Sequence, residues 1–170
     1  MKHTISVLVQ NRPGVLFRVS GLFARRGFNI HSLAVGTTED PAVSRMTIVV
    51  DLPERPLEHV TKQLYKLISV LKVIELLPNE SIEREMMLVK VKANAQTRAQ
   101  IIELVEVFRA KIVDVSAEAM TIEVTGSPDK LQAFEDLVNA HGVVEMVKTG
   151  RIGLARGSKG IGERTLRVAG

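Results

Sequence analysis

One order of elements occurs twice in this chain, on either side of the turn-rich break Pro78-Asn79-Glu80-Ser81, and nothing else constrains its fold as strongly. In the first round, alternating residues around Ile5-Ser6-Val7-Leu8-Val9 predict a strand over 3–10. Val15, Leu16, Val19, Leu22 and Phe23 recur at helical spacing and predict a helix over 12–26. Strands over 28–37 and 43–51, a helix over 56–70 and a strand over 71–77 complete the round. The second helix sets Leu57, Val60, Leu64, Leu67 and Leu71 on one face, with Glu58, Lys62 and Lys66 off it. The order then restarts. Met86 to Lys92 alternates as a strand, Ile101, Leu104, Val105 and Phe108 mark a helix, and Ile112 to Val115 and Met120 to Thr125 give two strands. Ser127-Pro128-Asp129 starts a helix backed by Leu131, Phe134 and Val138, and Val143 to Val147 is the last strand. The expected fold class is α+β, as tandem ferredoxin-like βαββαβ domains. The repetition lies in element order, with little residue identity.

The first round contains a corner that the second lacks. Asn11-Arg12-Pro13-Gly14-Val15-Leu16 joins the first strand to the first helix. Proline suits the first helical turn, where a missing N–H costs nothing, and Gly14 admits close approach of a ligand or a second chain. The first amides of a helix have no intrahelical partner and carry the positive end of its dipole, so the corner suits a small anion such as a free carboxylate. The plainer reading is a capped helix and nothing more. The equivalent stretch of the second round, Ala93-Asn94-Ala95-Gln96-Thr97, has no Pro-Gly pair. Ligand binding is therefore expected in the first domain alone, and folding, assembly or partner contact in the second.

Composition narrows the function class. The chain has 170 residues and no cysteine, which removes disulfides, thiolate nucleophiles and cysteine metal sites. Four histidines, at 3, 31, 59 and 141, fall in no HxxH or HExxH spacing, so no metal is expected. Asp40, Asp51 and Glu54 lie in or beside turns, where carboxylates cap and solvate; no G-x-S-x-G, P-loop or dinucleotide motif is present. A binding module fits better than an enzyme. The net charge of +4 resembles a nucleic-acid signal until it is located. Arg151, Arg156, Lys159, Arg164 and Arg167 against Glu163 alone put the whole excess in residues 151–170, leaving 18 basic and 18 acidic side chains elsewhere. Arg26-Gly27-Phe28 echoes an RNA-recognition motif, but it closes a helix, and Phe17, Phe23, Phe108 and Phe134 fall in helices rather than on a sheet face. Nucleic acid is not an expected partner. No apolar run spans a bilayer and Met1-Lys2-His3 leads straight into a strand, so no membrane contact and a cytoplasmic location are expected.

The corner together with Gly21-Leu22-Phe23-Ala24-Arg25-Arg26-Gly27-Phe28-Asn29-Ile30, Ser32-Leu33-Ala34-Val35-Gly36 and Ser44-Arg45-Met46-Thr47-Ile48-Val49-Val50 resembles the ACT domain of acetolactate synthase small subunits. Lys62-Gln63-Leu64-Tyr65-Lys66-Leu67 and Val144 through Gly157 agree, so the resemblance covers essentially the whole chain. It implies an effector-binding ACT domain at 4–78, a linker at 79–83, a C-terminal ferredoxin-like small-subunit domain at 84–158 and a basic flexible tail at 159–170. It also implies that valine binds across a homodimer seam, with Asn11, Pro13, Gly14, Val15 and Leu16 on one wall and the partner protomer's Asn29, Ile30 and His31 on the other. Two positions depart from the pattern of many family members: His31, where many carry an acidic residue, and His59, where many carry glutamine. The implied partner is the large catalytic subunit, which joins two pyruvates into acetolactate and CO2 and holds the thiamine diphosphate, magnesium and FAD. No cofactor is expected in this chain. A free-standing amino-acid-responsive ACT regulator of transcription or of another enzyme is the alternative.

Overall fold

The computed structural model describes residues 2–52, 57–158 and 160–163. Glu54, Lys159 and the last basic residues, Arg164 and Arg167, lie outside the described residues, and with them most of the expected flexible tail. Contacts divide the chain into two compact units, one formed by Met1–Ile82 with Arg151–Gly170 and the other by Glu83–Gly150.

The first unit contains β1 (Lys2–Gln10), α1 (Val15–Arg25), β2 (Ile30–Thr37), β3 (Val43–Asp51), α2 (Leu57–Leu64) and β4 (Val70–Glu75). The strands stand in the order β2-β3-β1-β4 with every neighbouring pair antiparallel. Successive strand residues face opposite ways, so Ile5, Val7 and Val9 of β1 and Met46, Ile48 and Val50 of β3 meet one side. There they pack with Val15, Val19, Leu22 and Phe23 of α1 and Val60 and Leu64 of α2 into a single core. Gly27 closes α1 at φ +69°, a left-handed value that suits glycine. The amide of Phe28 reaches back to the Phe23 carbonyl at 3.0 Å, and the Phe23 and Phe28 rings meet edge to face at 6.5 Å.

The second helix is shorter than its apolar spacing predicts, ending at Leu64 rather than near residue 70. The amides of Lys66 and Leu67 each reach back three residues, to Gln63 and Leu64, which tightens and ends the helix. Tyr65 Oη accepts the Val73 amide at 3.0 Å, and the Ser69 carbonyl accepts the Gln10 amide at 2.8 Å, so the chain is already turning into β4. Leu71 therefore stands on a strand, half exposed, and not on the helix.

The returning C-terminal segment bonds and packs against residues on the far side of the first sheet. Its strand β9 (Ile152–Ala155) has no counterpart among the predicted elements. The Arg151 amide donates to Ser32 Oγ at 2.6 Å and its guanidinium to Thr4 Oγ1 at 3.2 Å. Further on, Ile161 packs with Ile74 and Leu76 against Leu8 and Ala155. Both sides of the sheet are thus engaged near its centre.

The second unit repeats the wiring with β5 (Ser81–Lys92), α3 (Arg98–Val107), β6 (Lys111–Val115), β7 (Ala119–Gly126), α4 (Pro128–Val138) and β8 (Val143–Lys148), its strands ordered β6-β7-β5-β8. Met87, Val89 and Val91 pack with Ile122 and Val124, Ile101 and Val105, and Leu131, Phe134 and Val138. Phe108 and Phe134 meet edge to face at 5.2 Å. Ser127 caps α4 by accepting the Lys130 amide, with Pro128 in the first turn. The α+β class is as the sequence predicts, with an ACT-like sheet in the first unit.

Candidate functional site

The corner between β1 and α1 is rigid on one side and open on the other. Gly14 is the residue before the helix, at φ +82° and ψ −7°, and contributes no side-chain cap. An added Cβ there would meet no atom within 4 Å, so the space above the helix start is open. The Arg18 amide donates to the Gly14 carbonyl at 3.0 Å, whereas no acceptor among the described residues takes the amides of Leu16 and Phe17. Those N–H groups and the positive end of the helix dipole face the opening.

Asn11 is held beside them. Its backbone amide donates to Ala42 O at 2.8 Å and its side-chain Nδ2 donates to Pro41 O at 2.9 Å, which ties it to the β2–β3 turn. That turn is itself braced by Asp40, whose Oδ1 accepts the Ala42 amide at 2.9 Å. With both nitrogens used, Oδ1 of Asn11 is the acceptor left, and it has no partner among the described residues. Val15 is buried in the core and anchors the turn, while Leu16 is half exposed at the rim. Anion donors and a fixed carbonyl acceptor side by side match the two charged ends of a free amino acid.

The equivalent asparagine in the second unit is occupied. Asn94 Oδ1 accepts the amides of Gln96 and Thr97 at 2.9 and 3.0 Å, and the Thr97 hydroxyl as well. The asparagine oxygen that the first corner leaves free is thus taken there by the chain's own amides. The Pro-Gly pair in one corner and its absence from the other account for the difference.

Asn29, Ile30 and His31 stand elsewhere. Asn29 and His31 are exposed, and Ile30 packs partly on the core. The pairing of β2 with β3 shifts register between Ile30 and Ser32, a bulge at His31, whose Nε2 lies 4.0 Å from Asp51 Oδ2. Gln10, next to the corner, is level with Val43 on β3, whereas Ile30 is level with Val50. Seven residues of strand put the two groups at opposite ends of the sheet, roughly 23 Å apart. One chain does not bring them together. β2 is nevertheless an edge strand, paired only with β3 among the described residues, and antiparallel pairing of two such edges would set the end of one against the start of the other.

The four histidines are dispersed. His3 bonds Glu75 at 2.7 Å, His59 is exposed on α2, and His141 sits in a short 3-10 turn (Asn139–His141). No group of three or more His, Asp or Glu could hold a metal ion among the described residues, and no described helix is long and apolar enough to cross a membrane.

A second surface on α1 has no forewarning in the sequence. A cleft of about 190 Å³ opens between α1 and the turn before β4, lined by Val15, Arg18 and Val19 on one side and Lys66, Leu67 and Val70 on the other. Ile68, at its edge, is 90% exposed. In the run Leu67-Ile68-Ser69-Val70-Leu71 nothing marks Ile68 as the residue that turns outward, because it fits the apolar pattern of its neighbours.

Comparison with known proteins covers both units. Residues 5–72 match the AHAS small subunit-like ACT domain, and residues 84–157 match the family described as the small subunit of acetolactate synthase. The chain is 56% identical over 160 residues to an acetolactate synthase small subunit of Mycolicibacterium smegmatis, covering 94% of each chain. It is 54% identical over 159 residues to a probable acetolactate synthase small subunit of Archaeoglobus fulgidus, covering 94% of this chain and 99% of the relative. The crystal structure of the acetolactate synthase small subunit from Thermotoga maritima superposes with a TM-score of 0.84 at 43% identity, over 94% of this chain and 99% of that one.

Proposed function

The chain belongs to the family of acetolactate synthase small regulatory subunits, and from that premise we propose that it activates the large catalytic subunit and makes it sensitive to valine. The observation that carries the valine site is the open helix start at Gly14 beside the unpaired Oδ1 of Asn11, set against Asn94, whose Oδ1 is taken by the amides of Gln96 and Thr97. The amides of Leu16 and Phe17 take the carboxylate, Asn11 Oδ1 accepts from the ammonium, and Leu16 borders the isopropyl group. Pro13 and Val15 fix the turn. Asn29, Ile30 and His31 complete the pocket from a second protomer, because in one chain they stand at the far end of the sheet and β2 offers a free edge for pairing.

In this reading the first unit carries the effector site, and the second, whose corresponding asparagine is occupied, serves assembly and contact with the large subunit. Thiamine diphosphate, magnesium and FAD reside on the large subunit, which performs the condensation of pyruvate. Regulation is linkage. The small subunit stabilises an active arrangement of the large one, and valine binds better to the arrangement that does not. A coupling of about 1–3 kcal/mol corresponds to roughly 5–150-fold inhibition.

Two measurements on the full chain test the reading. Calorimetry with valine is expected to give saturable binding with one pocket per corner, and co-purification is expected to recover a thiamine-diphosphate enzyme. Absence of valine binding removes the effector role, and absence of that enzyme from a complex competent for acetolactate synthesis removes the assignment of partner.

A further inference from the structure

We propose that the cleft between α1 and the Lys66–Val70 turn receives an acidic, apolar-tipped segment of the large subunit, resting on the regulatory reading above. Its floor is aliphatic, from Val15, Val19, Leu67 and Val70, and no carboxylate lines it. Arg18 and Lys66 stand on opposite walls, and neither has an ion-pair partner among the described residues. Two unpaired cations over an apolar floor fit a segment that brings a carboxylate beside an aliphatic or aromatic anchor.

The rim is preformed. The Val70 amide donates to Leu67 O at 2.9 Å, the Gln10 amide to Ser69 O at 2.8 Å, and the Val73 amide to Tyr65 Oη at 3.0 Å. Ile68 therefore points outward from a turn whose backbone is bonded at both ends, and little ordering entropy remains to be lost on docking.

Charge separates the possible occupants. A twofold contact between copies of this chain would use the same patch on both sides and set Arg18 and Lys66 against themselves. An acidic partner removes that repulsion. Two cations on an aliphatic cleft also lack the extended basic track and stacking aromatics that a nucleic acid requires.

Position gives the cleft a regulatory consequence. Val15, Arg18 and Val19 belong to the first turns of α1, directly after the Gly14 corner. A partner seated in the cleft and an effector seated on the helix start act on the same segment, so each biases the position the other requires.

The test titrates the full chain into a fixed amount of large subunit and reads acetolactate formation for wild type, Ile68→Asp, Lys66→Glu and Lys66→Arg. Ile68→Asp and Lys66→Glu are expected to raise the concentration for half-maximal activation by at least about tenfold, and Lys66→Arg to change it by less than about twofold. Valine affinity of the isolated variants and their assembly state in the ultracentrifuge are expected to match wild type. Unchanged half-maximal concentrations for both disruptive variants overturn the docking site. A smaller assembly in either variant assigns the cleft to contact between copies and overturns it as well. If wild type itself fails to activate at any concentration, the regulatory reading falls and takes this inference with it, a result separate from the other two.

Discussion

Replacing Gly14 by aspartate separates folding of the corner from binding at it. Gly14 sits at φ +82°, where an added Cβ meets no atom within 4 Å, so the penalty is conformational and not steric. A left-handed residue with a side chain costs about 1–2 kcal/mol, less for aspartate than for most residues. A carboxylate at the helix start returns about 0.3–1 kcal/mol through the helix dipole. The variant is therefore expected to lose about 1 kcal/mol, roughly 4–8 °C in Tm for a domain of this size. Effector binding suffers far more. The new carboxylate caps the amides of Leu16 and Phe17 that the ligand needs, removing charge-assisted bonds worth about 1.5–3 kcal/mol. Two like charges about 4 Å apart add roughly 4 kcal/mol of repulsion at an effective dielectric of about 20. Even with generous relaxation the loss exceeds about 3 kcal/mol, or roughly 150-fold in Kd. Gly14→Ala carries similar backbone strain without the charge and is expected to lose less than about tenfold. Calorimetry of valine against the folded full-length variants reads the contrast. A folded Gly14→Asp chain that binds valine like wild type would refute the assignment of the carboxylate to this corner.

Asn29→Ala is expected to weaken valine binding by about 1.5–3 kcal/mol in calorimetry although Asn29 stands at the opposite end of its own sheet, and wild-type affinity would exclude the shared pocket. Ile161→Ala should lower the thermal midpoint of the first unit, at a cost of about 2 kcal/mol, because Ile161 packs on Ile74 and Leu76. Removing residues 164–170 should leave both midpoint and activation unchanged. Phe134→Ala should destabilise the second unit by about 3–5 kcal/mol, read by chemical denaturation, while leaving valine affinity unchanged if the effector site lies wholly in the first units of a dimer.

Much of this was legible in the sequence because the signals were local. Alternation in β1 and β3, the Ser127-Pro128 start of α4 and the Gly27 stop of α1 each depend on residues close in the chain, and each element stands within a few residues of its predicted place. The Pro-Gly corner announced an unfilled helix start for the same reason. What the sequence does not show depends on distant partners. Leu67 and Leu71 continue the apolar spacing of α2, but the bonds from Gln10 to Ser69 and from Val73 to Tyr65 pull that stretch into a turn and a strand. Ile152-Gly153-Leu154-Ala155 gave too short an alternation to mark β9, and the bonds on either side of it, from Arg151 to Ser32 and Thr4 and from the Arg156 amide to Glu80 O, reach residues more than seventy positions away. The acceptor left free on Asn11 was likewise invisible until the β2–β3 turn was seen to occupy both of its nitrogens.

The most direct test of the central claim mixes the full chain with the large catalytic subunit and follows acetolactate formation over a valine titration. The expected result is a higher rate than the large subunit reaches alone, falling roughly 5–150-fold as valine saturates, with the Gly14→Asp chain activating normally but escaping the fall. Equal inhibition of the two chains would contradict the site, and a large subunit equally active and equally valine-sensitive without this chain would contradict the regulatory role itself.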